Sequence, residues 1–288
     1  MVMECRERGL LPPDLHDRIP VFGDADGTLD LIEAIATRTG AGDLLAEGSK
    51  RAAEAIGNGA EALAMQVKGL ELAPFEPRTQ TGLALGYATA PIGPRFDIAE
   101  HDWDFDEAGW SHALENARTL GILQRIPMQE ISPRKVRNYT VLTTLWSAAD
   151  ALDFCIFAIA PVRVLSFEQM AAMLAAITGW NTSTYEIMQI GKRRIQLMHL
   201  YNLREGIGPE ADTLPDRFFD EPIDTGTWRG HRIDRTAFEE AIRTWYRMMG
   251  WNDRARPTYE TLVSLGLEWT VDEGYLSSDS IAMTGVSQ

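Results

Sequence analysis

Apolar side chains recur three and four positions apart along most of the chain, which is the spacing of one face of an α-helix. Leu29, Ile32 and Ile35 show it near the N-terminus, where Thr28 is a suitable N-cap and Gly40 a suitable stop. The pattern predicts helices over residues 1–8, 28–39, 42 or 43 to 56, 82–90, 107–123, 133–155, 167–179, 185–203 (capped by Thr182 or Ser183), 238–249 and 257–267.

Strands are expected to be few, because no segment alternates for long between apolar and polar residues. The predicted fold class is therefore all-α. Residues 67–78 interrupt the helical pattern with Gly69 and two prolines, which is typical of an extended connection. We place a domain boundary there, so that residues 1–75 form one helical domain and residues 76–288 a second, larger one.

The charge balance argues against one class of partner. The chain has 27 Lys and Arg residues against 42 Asp and Glu, a formal net charge of -15. No segment is rich in Lys or Arg, whereas binding to the phosphates of a nucleic acid requires a basic surface. We therefore expect no nucleic-acid partner.

The two cysteines, Cys5 and Cys155, exclude a disulfide framework and fit a reducing compartment. The N-terminus carries charges where a signal peptide would be apolar. The longest apolar run, 154–162, ends at Arg163, and a bilayer-spanning helix needs about 20 residues. We expect a cytoplasmic protein without a membrane segment. The chain also opens inside a helical pattern, which suggests that a further part of the protein lies upstream.

Few residues form a recognisable catalytic pattern. The five histidines show no metal-ligand spacing, and there is no nucleotide-binding glycine fingerprint. Cys155 is one candidate, although a buried structural thiol is the commoner role of a single cysteine. His101 beside Asp102 is a second: nearby carboxylates would raise its proton affinity or bind a hard cation, but a solvated acidic loop is the commoner case. The charged segment 202–206 is more simply a helix end with Gly206 as its stop.

A series of short motifs covers nearly the whole chain, up to about Trp269. They are Leu45-Ala-Glu-Gly48, Lys50-Arg-Ala-Ala53, Val67-Lys-Gly-Leu-Glu71, Glu76-Pro-Arg78, Leu85-Gly-Tyr-Ala-Thr89, Asp150 to Cys155, Asn202-Leu-Arg-Glu-Gly206, Thr213-Leu-Pro-Asp-Arg217, Gly250-Trp251, Pro257-Thr258 and Leu265-Gly-Leu267. Each is weak alone. In this order and spacing, the chain resembles the aldehyde ferredoxin oxidoreductase family.

Members of that family oxidise aldehydes to carboxylic acids at a tungsten held by two pterin dithiolenes. The electrons leave through a 4Fe-4S cluster to ferredoxin. A β-rich N-terminal domain is followed by two mostly helical domains, and the resemblance implies that this chain corresponds to the end of the second domain and to the third. Both cofactors, the tungsten (or molybdenum) bis-pterin and the cluster, would then require a partner chain with the N-terminal domain.

The resemblance assigns roles to two residues. Asp150 and Cys155 match the ends of the family motif Asp-x-x-Gly-Leu-Cys. The Asp is expected to accept hydrogen bonds from pterin nitrogens, and the Cys to be a thiolate ligand of the cluster. The other three cluster cysteines of the family lie upstream of this chain, and Cys5 cannot replace them because a cubane needs four thiolates.

Two departures from the family bear on the chemistry. The motif's Gly-Leu is Asp153-Phe154 here, and a carboxylate adds bulk and negative charge where glycine allows close backbone approach. A Gly-Ala-Asp-His segment that many members carry after Tyr-Ala-Thr is also absent. We therefore expect His101 to handle protons in its place, and Arg95 to clamp an anionic substrate group such as a carboxylate or a thioester phosphate.

The predicted function is the C-terminal part of a tungsten-pterin, aldehyde-oxidising enzyme, incomplete without its N-terminal domain. Ferredoxin, a small-molecule substrate and a second copy of the chain are the other expected partners. One alternative is a split subunit of a reductase with the same cofactors that acts on acyl-CoA or aromatic substrates. The other is a non-catalytic remnant or interaction module.

Overall fold

A computed structural model describes residues 1–159, 164–272, 275 and 281 of the chain. Helices make up most of the regular structure in this part, and two short strands form its one sheet. The predicted all-α class is confirmed. Among the described helices, none is long and apolar enough to cross a membrane.

The N-terminal region contains five helices and a hairpin. They are α1 (Val2–Glu7), α2 (Pro13–His16), α3 (Ala25–Thr37), α4 (Ala41–Leu45), α5 (Ser49–Ile56), β1 (Gln66–Val67) and β2 (Leu70–Glu71). The antiparallel strands pair Val67 with Leu70. Lys68 and Gly69 both have positive φ, which is the backbone of a two-residue type I′ turn. The predicted extended connection therefore begins as a tight hairpin.

The remaining helices surround one long antiparallel pair, α8 and α10. The elements are α6 (Thr81–Thr89), α7 (Ser111–Ala117), α8 (Pro133–Ala151), α9 (Phe167–Thr178), α10 (Thr184–Arg204), α11 (Arg217–Asp220), α12 (Arg235–Met248), α13 (Tyr259–Leu265) and α14 (Trp269–Asp272). Five 3₁₀ turns lie between helices, at Ala60–Leu63, Phe96–Ile98, Asp102–Phe105, Arg118–Leu120 and Pro209–Ala211.

Side-chain caps determine where the main helices begin. Ser183 caps α10 by accepting a hydrogen bond from a backbone N–H three residues on, so one of the two predicted caps is confirmed. The predicted cap of α3, Thr28, is wrong. Asp24 accepts from the N–H of Gly27, so the helix begins one turn earlier.

Three predicted helices are interrupted. The helix expected from residue 42 to 56 divides into α4 and α5 because Gly48 has a φ of 86°. The helix expected over 107–123 retains only α7 and a 3₁₀ turn that ends at Gly121. The helix expected to reach Cys155 ends at Ala151.

The buried apolar residues divide near residue 65. One cluster draws only on the N-terminal region, and the largest cluster draws on the chain that follows. The first comprises Cys5, Leu11, Ile19, Leu31, Ala41, Ala53, Ile56, Ala60, Leu63 and Ala64. The second runs from Val67 to Ala255 and a third joins α8 to α9 and α10. The clusters divide about ten residues before the predicted domain boundary at residue 75, and the two-domain division stays a prediction.

Polar contacts join the N-terminal region, including its hairpin, to the rest of the chain. Lys68, in the hairpin turn, forms an ion pair of 2.6 Å with Asp212, and both side chains are buried. Glu4 of α1 accepts two hydrogen bonds from Arg217 of α11. Residues that carry the family resemblance, such as Lys68 and Arg217, therefore hold the two regions together.

Candidate cofactor and cluster site

Asp150 lies in the last turn of α8, with its side chain 43% exposed. A carboxylate is unfavourable there, because the C-terminal end of a helix carries the negative end of the helix dipole. Arg194 of α10 offsets this, with its Nη2 3.2 Å from Asp150 Oδ2. The structure thus keeps a charged, solvent-facing carboxylate at an otherwise unfavourable position.

Close packing of α8 against α10 brings Arg194 to Asp150. A Cβ on Gly191 would lie 2.0 Å from the carbonyl oxygen of Thr144, so only glycine allows this approach. The Ser147 hydroxyl donates to the Gly191 carbonyl at 3.1 Å, and Arg194 Nη1 donates to the same hydroxyl oxygen at 3.3 Å. One turn of α10 therefore sets the position of the guanidinium.

The end of α8 explains the glycine in the family motif. Asp153 has a φ of 58°, the left-handed conformation that follows many helices. The Phe154 N–H donates to the Ala149 carbonyl at 2.9 Å, and the Asp153 N–H to the Asp150 carbonyl at 3.5 Å, which are the two bonds of a Schellman motif. Glycine is thus favoured here for its backbone conformation, in addition to any close approach of a ligand.

Cys155 follows this helix end and is exposed. The role of a buried structural thiol, which was the commoner expectation for a single cysteine, is therefore wrong. Cys5, in contrast, is buried in the N-terminal cluster, and burial raises the pKa of its thiol. Of the two cysteines, only Cys155 is exposed.

Arg95 lies in the loop after α6, directly before the 3₁₀ turn that begins at Phe96. Its Nε donates to Asp97 Oδ1 at 2.7 Å, and Nη2 donates to the other carboxylate oxygen. The Asp97 carboxylate raises the pKa of Arg95, and the negative charge of Asp150 contributes in the same direction. The structure therefore brings Arg95 within electrostatic reach of Asp150, although Asp97 already engages its guanidinium.

His101 lies beside the same loop. Its ring packs edge-on against Phe75, with centroids 5.0 Å apart, and Nε2 donates to the Phe96 carbonyl at 3.1 Å. Because Phe96 follows Arg95 directly, His101 and Arg95 belong to one neighbourhood. The proton-handling role of His101 stays a prediction.

The acidic loop around His101 is not the solvated loop that we expected. Glu100, Asp102 and Asp104 are all buried. Asp102 forms an ion pair of 2.5 Å with Lys135 of α8 and accepts from the Leu83 N–H of α6 at 3.0 Å. The expectation failed because Lys135, 33 positions away in sequence, neutralises the carboxylate in the core. Asp102 is therefore a structural anchor.

The segment 202–206 ends α10, as expected. Gly206 has a φ of 83°, and the Ile207 N–H donates to the Asn202 carbonyl at 2.8 Å. The Asn202 amide also donates to the Pro91 carbonyl at 2.7 Å, which fixes the loop that leads to Arg95. The end of α10 therefore helps to position the loop that carries Arg95.

The site thus gathers Asp150, Arg194, Arg95 and, five residues beyond Asp150, the exposed Cys155. Sequence reasoning missed Arg194. The only signal for it is the run Lys192-Arg193-Arg194 after a glycine on the most periodic helix, and nothing in the sequence pairs it with Asp150. Among the described residues, no three His, Cys, Asp or Glu side chains converge as metal ligands.

Comparisons with known proteins agree with this architecture. The family model described as aldehyde ferredoxin oxidoreductase, domains 2 and 3, matches residues 1–267. This match defines the class as helical domains of the aldehyde ferredoxin oxidoreductase type, and the chain belongs to the aldehyde ferredoxin oxidoreductase family. The predicted family membership is confirmed.

Three relatives show the range of similarity. A tungsten-containing aldehyde ferredoxin oxidoreductase of Pyrococcus horikoshii is 33% identical over 274 residues, and one of Thermococcus kodakarensis is 32% identical over 271. In both cases the match covers 92% of this chain and 41% of the relative. An aliphatic sulfonate oxidoreductase, WOR-like subunit, of Pyrococcus furiosus is 23% identical. The chain thus spans about two fifths of the length of the tungsten-containing relatives.

One solved structure has the same fold. It is the active site complex BamBC of benzoyl coenzyme A reductase in complex with 1,5-dienoyl-CoA, with a TM-score of 0.69 and 23% identity. The match covers 96% of this chain and 44% of that chain. At this identity the likeness establishes the fold alone.

Proposed function

We propose that this chain forms one side of the cofactor-binding site of a tungsten-pterin oxidoreductase. In this proposal Asp150 binds the pterin and Cys155 ligates a 4Fe-4S cluster. The observation that carries the proposal is the exposure of both groups at one helix end. The match to tungsten-containing relatives over most of the chain supports it. The N-terminal domain of the family completes the enzyme in this proposal.

The residues present fit these two groups. A carboxylate accepts hydrogen bonds, and pterin rings carry several N–H donors. An exposed thiol near a helix C-terminus ligates iron once a metal displaces its proton. When bound, the pterin tungsten supplies the two-electron chemistry that turns an aldehyde into a carboxylic acid, and the cluster passes the electrons to ferredoxin.

This chain's own contribution is binding and electrostatics. Arg194 holds the Asp150 carboxylate in place, so the hydrogen-bond acceptor is already oriented before the pterin arrives. Asp102 and Lys135 anchor the loop that carries His101, which we propose as the group that gives or takes the substrate's proton.

A second candidate keeps the cofactors and changes the substrate to an acyl-CoA or an aromatic compound. Arg95 favours it, because a 47% exposed guanidinium near Asp150 suits an anionic group. The Asp97 carboxylate already accepts hydrogen bonds from Nε and Nη2 of Arg95. An anionic substrate would therefore have to displace that carboxylate. We therefore prefer the aldehyde assignment.

Metal analysis of cysteine variants tests the proposal. The chain is co-expressed with a polypeptide that carries the N-terminal part of the family, and tungsten, molybdenum and iron are measured per chain. Cys155→Ser is expected to lower iron to near background, because a cubane with one thiolate missing is labile. Cys5→Ser removes a thiol buried elsewhere and is expected to leave iron unchanged. Equal iron in both variants would exclude the cluster assignment.

A further inference from the structure

Three aromatic rings meet beside the loop that carries Arg95. The ring centroids of Phe75 and Phe96 lie 5.4 Å apart. The His101 ring stands edge-on to Phe75 at 5.0 Å and to Phe96 at 6.3 Å. Phe75 belongs to the connection that follows β2, whereas Phe96 begins a 3₁₀ turn after α6. Two separate segments of the chain therefore build one aromatic cluster, which consists of Phe75, Phe96 and His101.

Other side chains anchor both segments to the core. Ala73 and Ile98 pack against the largest core cluster, and each lies two positions from a phenylalanine of the aromatic cluster. Phe75 and Phe96 themselves are each 38% exposed. Each phenylalanine therefore keeps an accessible apolar surface that a ligand can cover.

Hydrogen bonds hold the backbone on both sides of the aromatic cluster. The hydroxyl of Tyr87, a buried residue of α6, donates to the carbonyls of Ala73 and Phe75 at 3.3 and 3.4 Å. On the other segment, His101 Nε2 donates to the Phe96 carbonyl at 3.1 Å. The rings are thus placed before a ligand arrives, which lowers the entropic cost of binding.

Polar groups border the aromatic cluster. Arg95 directly precedes Phe96 and lies within electrostatic reach of Asp150. His101 belongs to the cluster and is also the group that we propose for proton transfer. Ligand sites are typically apolar surfaces with a few polar groups that fix the orientation of the ligand. The aromatic cluster has this composition and lies in the neighbourhood of the proposed pterin residue.

We propose that Phe75 and Phe96 determine substrate specificity by binding an aromatic ring, so that the aldehyde group attached to this ring lies beside His101. The inference rests on the proposed function, since it takes the substrate to be an aldehyde and His101 to handle its proton. It narrows the substrate class to aryl aldehydes.

The physics of ring contacts favours an aromatic ligand over a saturated one. Contacts between aromatic rings stabilise by more than the apolar area that they bury, and the excess corresponds to about a twofold to tenfold gain in affinity for one pair. A cyclohexyl ring of similar size buries a comparable area without this excess. Replacing the two phenylalanines should therefore weaken binding of a phenyl compound more than binding of its cyclohexyl counterpart.

Competitive binding to the full chain tests the inference without the cofactors. Binding of para-fluorobenzyl alcohol, a neutral and unreactive aryl alcohol, is followed by fluorine NMR, and the probe is displaced with benzyl alcohol or with cyclohexylmethanol. The ratio of the two displacing affinities, phenyl over cyclohexyl, is the quantity compared. We expect this ratio to be about threefold to tenfold lower in the double variant Phe75→Leu with Phe96→Leu than in the unaltered chain. The variant Phe75→Tyr with Phe96→Tyr keeps both rings and should keep the ratio.

Phe22→Leu is the matched control, because Phe22 is a 58% exposed phenylalanine before α3 and outside the aromatic cluster. It should leave the ratio unchanged. If the rings only join the two segments, the leucine substitutions lower the urea midpoint of unfolding and leave the ratio as it was. That result would overturn the inference, as would absence of probe binding at millimolar concentration.

A second measurement needs no change at either phenylalanine. In the chain labelled at its histidines, benzyl alcohol is expected to shift the ring resonance of His101 through its ring current, whereas cyclohexylmethanol has no ring current. The resonance is assigned with His101→Gln. Equal shifts from the two alcohols, or shifts confined to the other four histidines, would contradict the proposed position of the ligand.

Activity and iron separate this inference from the proposed function. In the co-expressed enzyme, the double leucine variant should lower the kcat/KM ratio of benzaldehyde to cyclohexanecarbaldehyde by about threefold to tenfold. An unchanged ratio in an enzyme that retains tungsten and iron overturns the substrate role and leaves the cluster assignment intact. Equal iron in Cys155→Ser and Cys5→Ser overturns the cluster assignment, while ring-dependent binding by the chain still supports the aromatic site.

Discussion

At the scale of single residues, Asp153 is one of five non-glycine residues in the described part of the chain that have a positive φ. Its left-handed backbone is unfavourable for a residue with a Cβ, although less so for Asp than for most. We predict that Asp153→Gly raises the free energy of unfolding by about 0.5–1 kcal/mol, measured by urea denaturation.

The opposite change at another helix end is the control. Gly179 has a φ of 73°, and no atom lies within 4 Å of the position that a Cβ would occupy, so Gly179→Ala incurs only the backbone cost. It should lower the free energy of unfolding by about 1 kcal/mol. A destabilising Asp153→Gly would mean that the Asp153 side chain makes a contact that outweighs its backbone strain.

Arg194 is the residue whose contribution the sequence left unnoticed. We predict that Arg194→Gln lowers the tungsten and pterin retained by the co-expressed complex by about 10-fold to 100-fold, because loss of a residue that orients a ligand has effects of this size. Lys192→Gln removes the same charge from an exposed position on α10 and should have little effect. Similar losses in both variants would point to general electrostatics instead of orientation of Asp150.

At the scale of elements, the buried pair of Asp102 and Lys135 joins a 3₁₀ turn to α6 and α8. The side chains are 6% and 5% exposed. We predict that Lys135→Met lowers the free energy of unfolding by about 3–5 kcal/mol, because it leaves a buried carboxylate without its counter-charge. Urea denaturation measures this.

The double variant decides whether charge is the cause. Lys135→Met combined with Asp102→Asn removes the uncompensated charge and keeps an acceptor for the Leu83 N–H. The double variant should therefore regain most of the free energy of unfolding that Lys135→Met loses. If the double variant is no more stable than Lys135→Met alone, packing around the lysine stem is the dominant contribution.

Helix prediction succeeded where a short-range signal exists and failed where it does not. The long helix α10 followed from its apolar periodicity and a capping hydroxyl on Ser183. The break between α4 and α5 at Gly48 did not, because an isolated glycine is compatible with a helix. The outcome there depends on Glu71 of the hairpin, whose carboxylate accepts from the Ser49 N–H at 2.7 Å.

At the scale of the whole molecule, His199 makes stability depend on pH. It is buried, stacks on Trp251 with ring centroids 3.7 Å apart, and contacts the Ala255 carbonyl. Burial lowers the pKa of His199 below its ordinary value of about 6.5. The unfolded chain therefore takes up a proton before the folded chain does, and stability falls as the pH drops below about 6.5.

A comparison of two pH values tests this. We predict a lower urea midpoint at about pH 5.5 than at about pH 7.5, and a smaller difference in His199→Phe, which has no titrating ring. Carboxylates titrate in both proteins, so the difference between them isolates the histidine. An equal pH dependence in the two proteins would contradict the prediction.

The expected cytoplasmic location, the tungsten or molybdenum content and the association of two copies stay predictions. The contact of Lys68 with Asp212 joins the hairpin to the larger region, and the contact of Glu4 with Arg217 joins α1 to it.

The sequence by itself determined the helical class, the main helices and the family, because these depend on local periodicity and on the order of short motifs. It also identified Asp150 and Cys155, since the motif that contains them is continuous in the chain. Only the tertiary structure decided that Cys155 is exposed, that Arg194 faces Asp150 and that Asp102 is buried on Lys135. Each of these depends on residues far apart in sequence, and no local pattern records which distant charge or helix a side chain will meet.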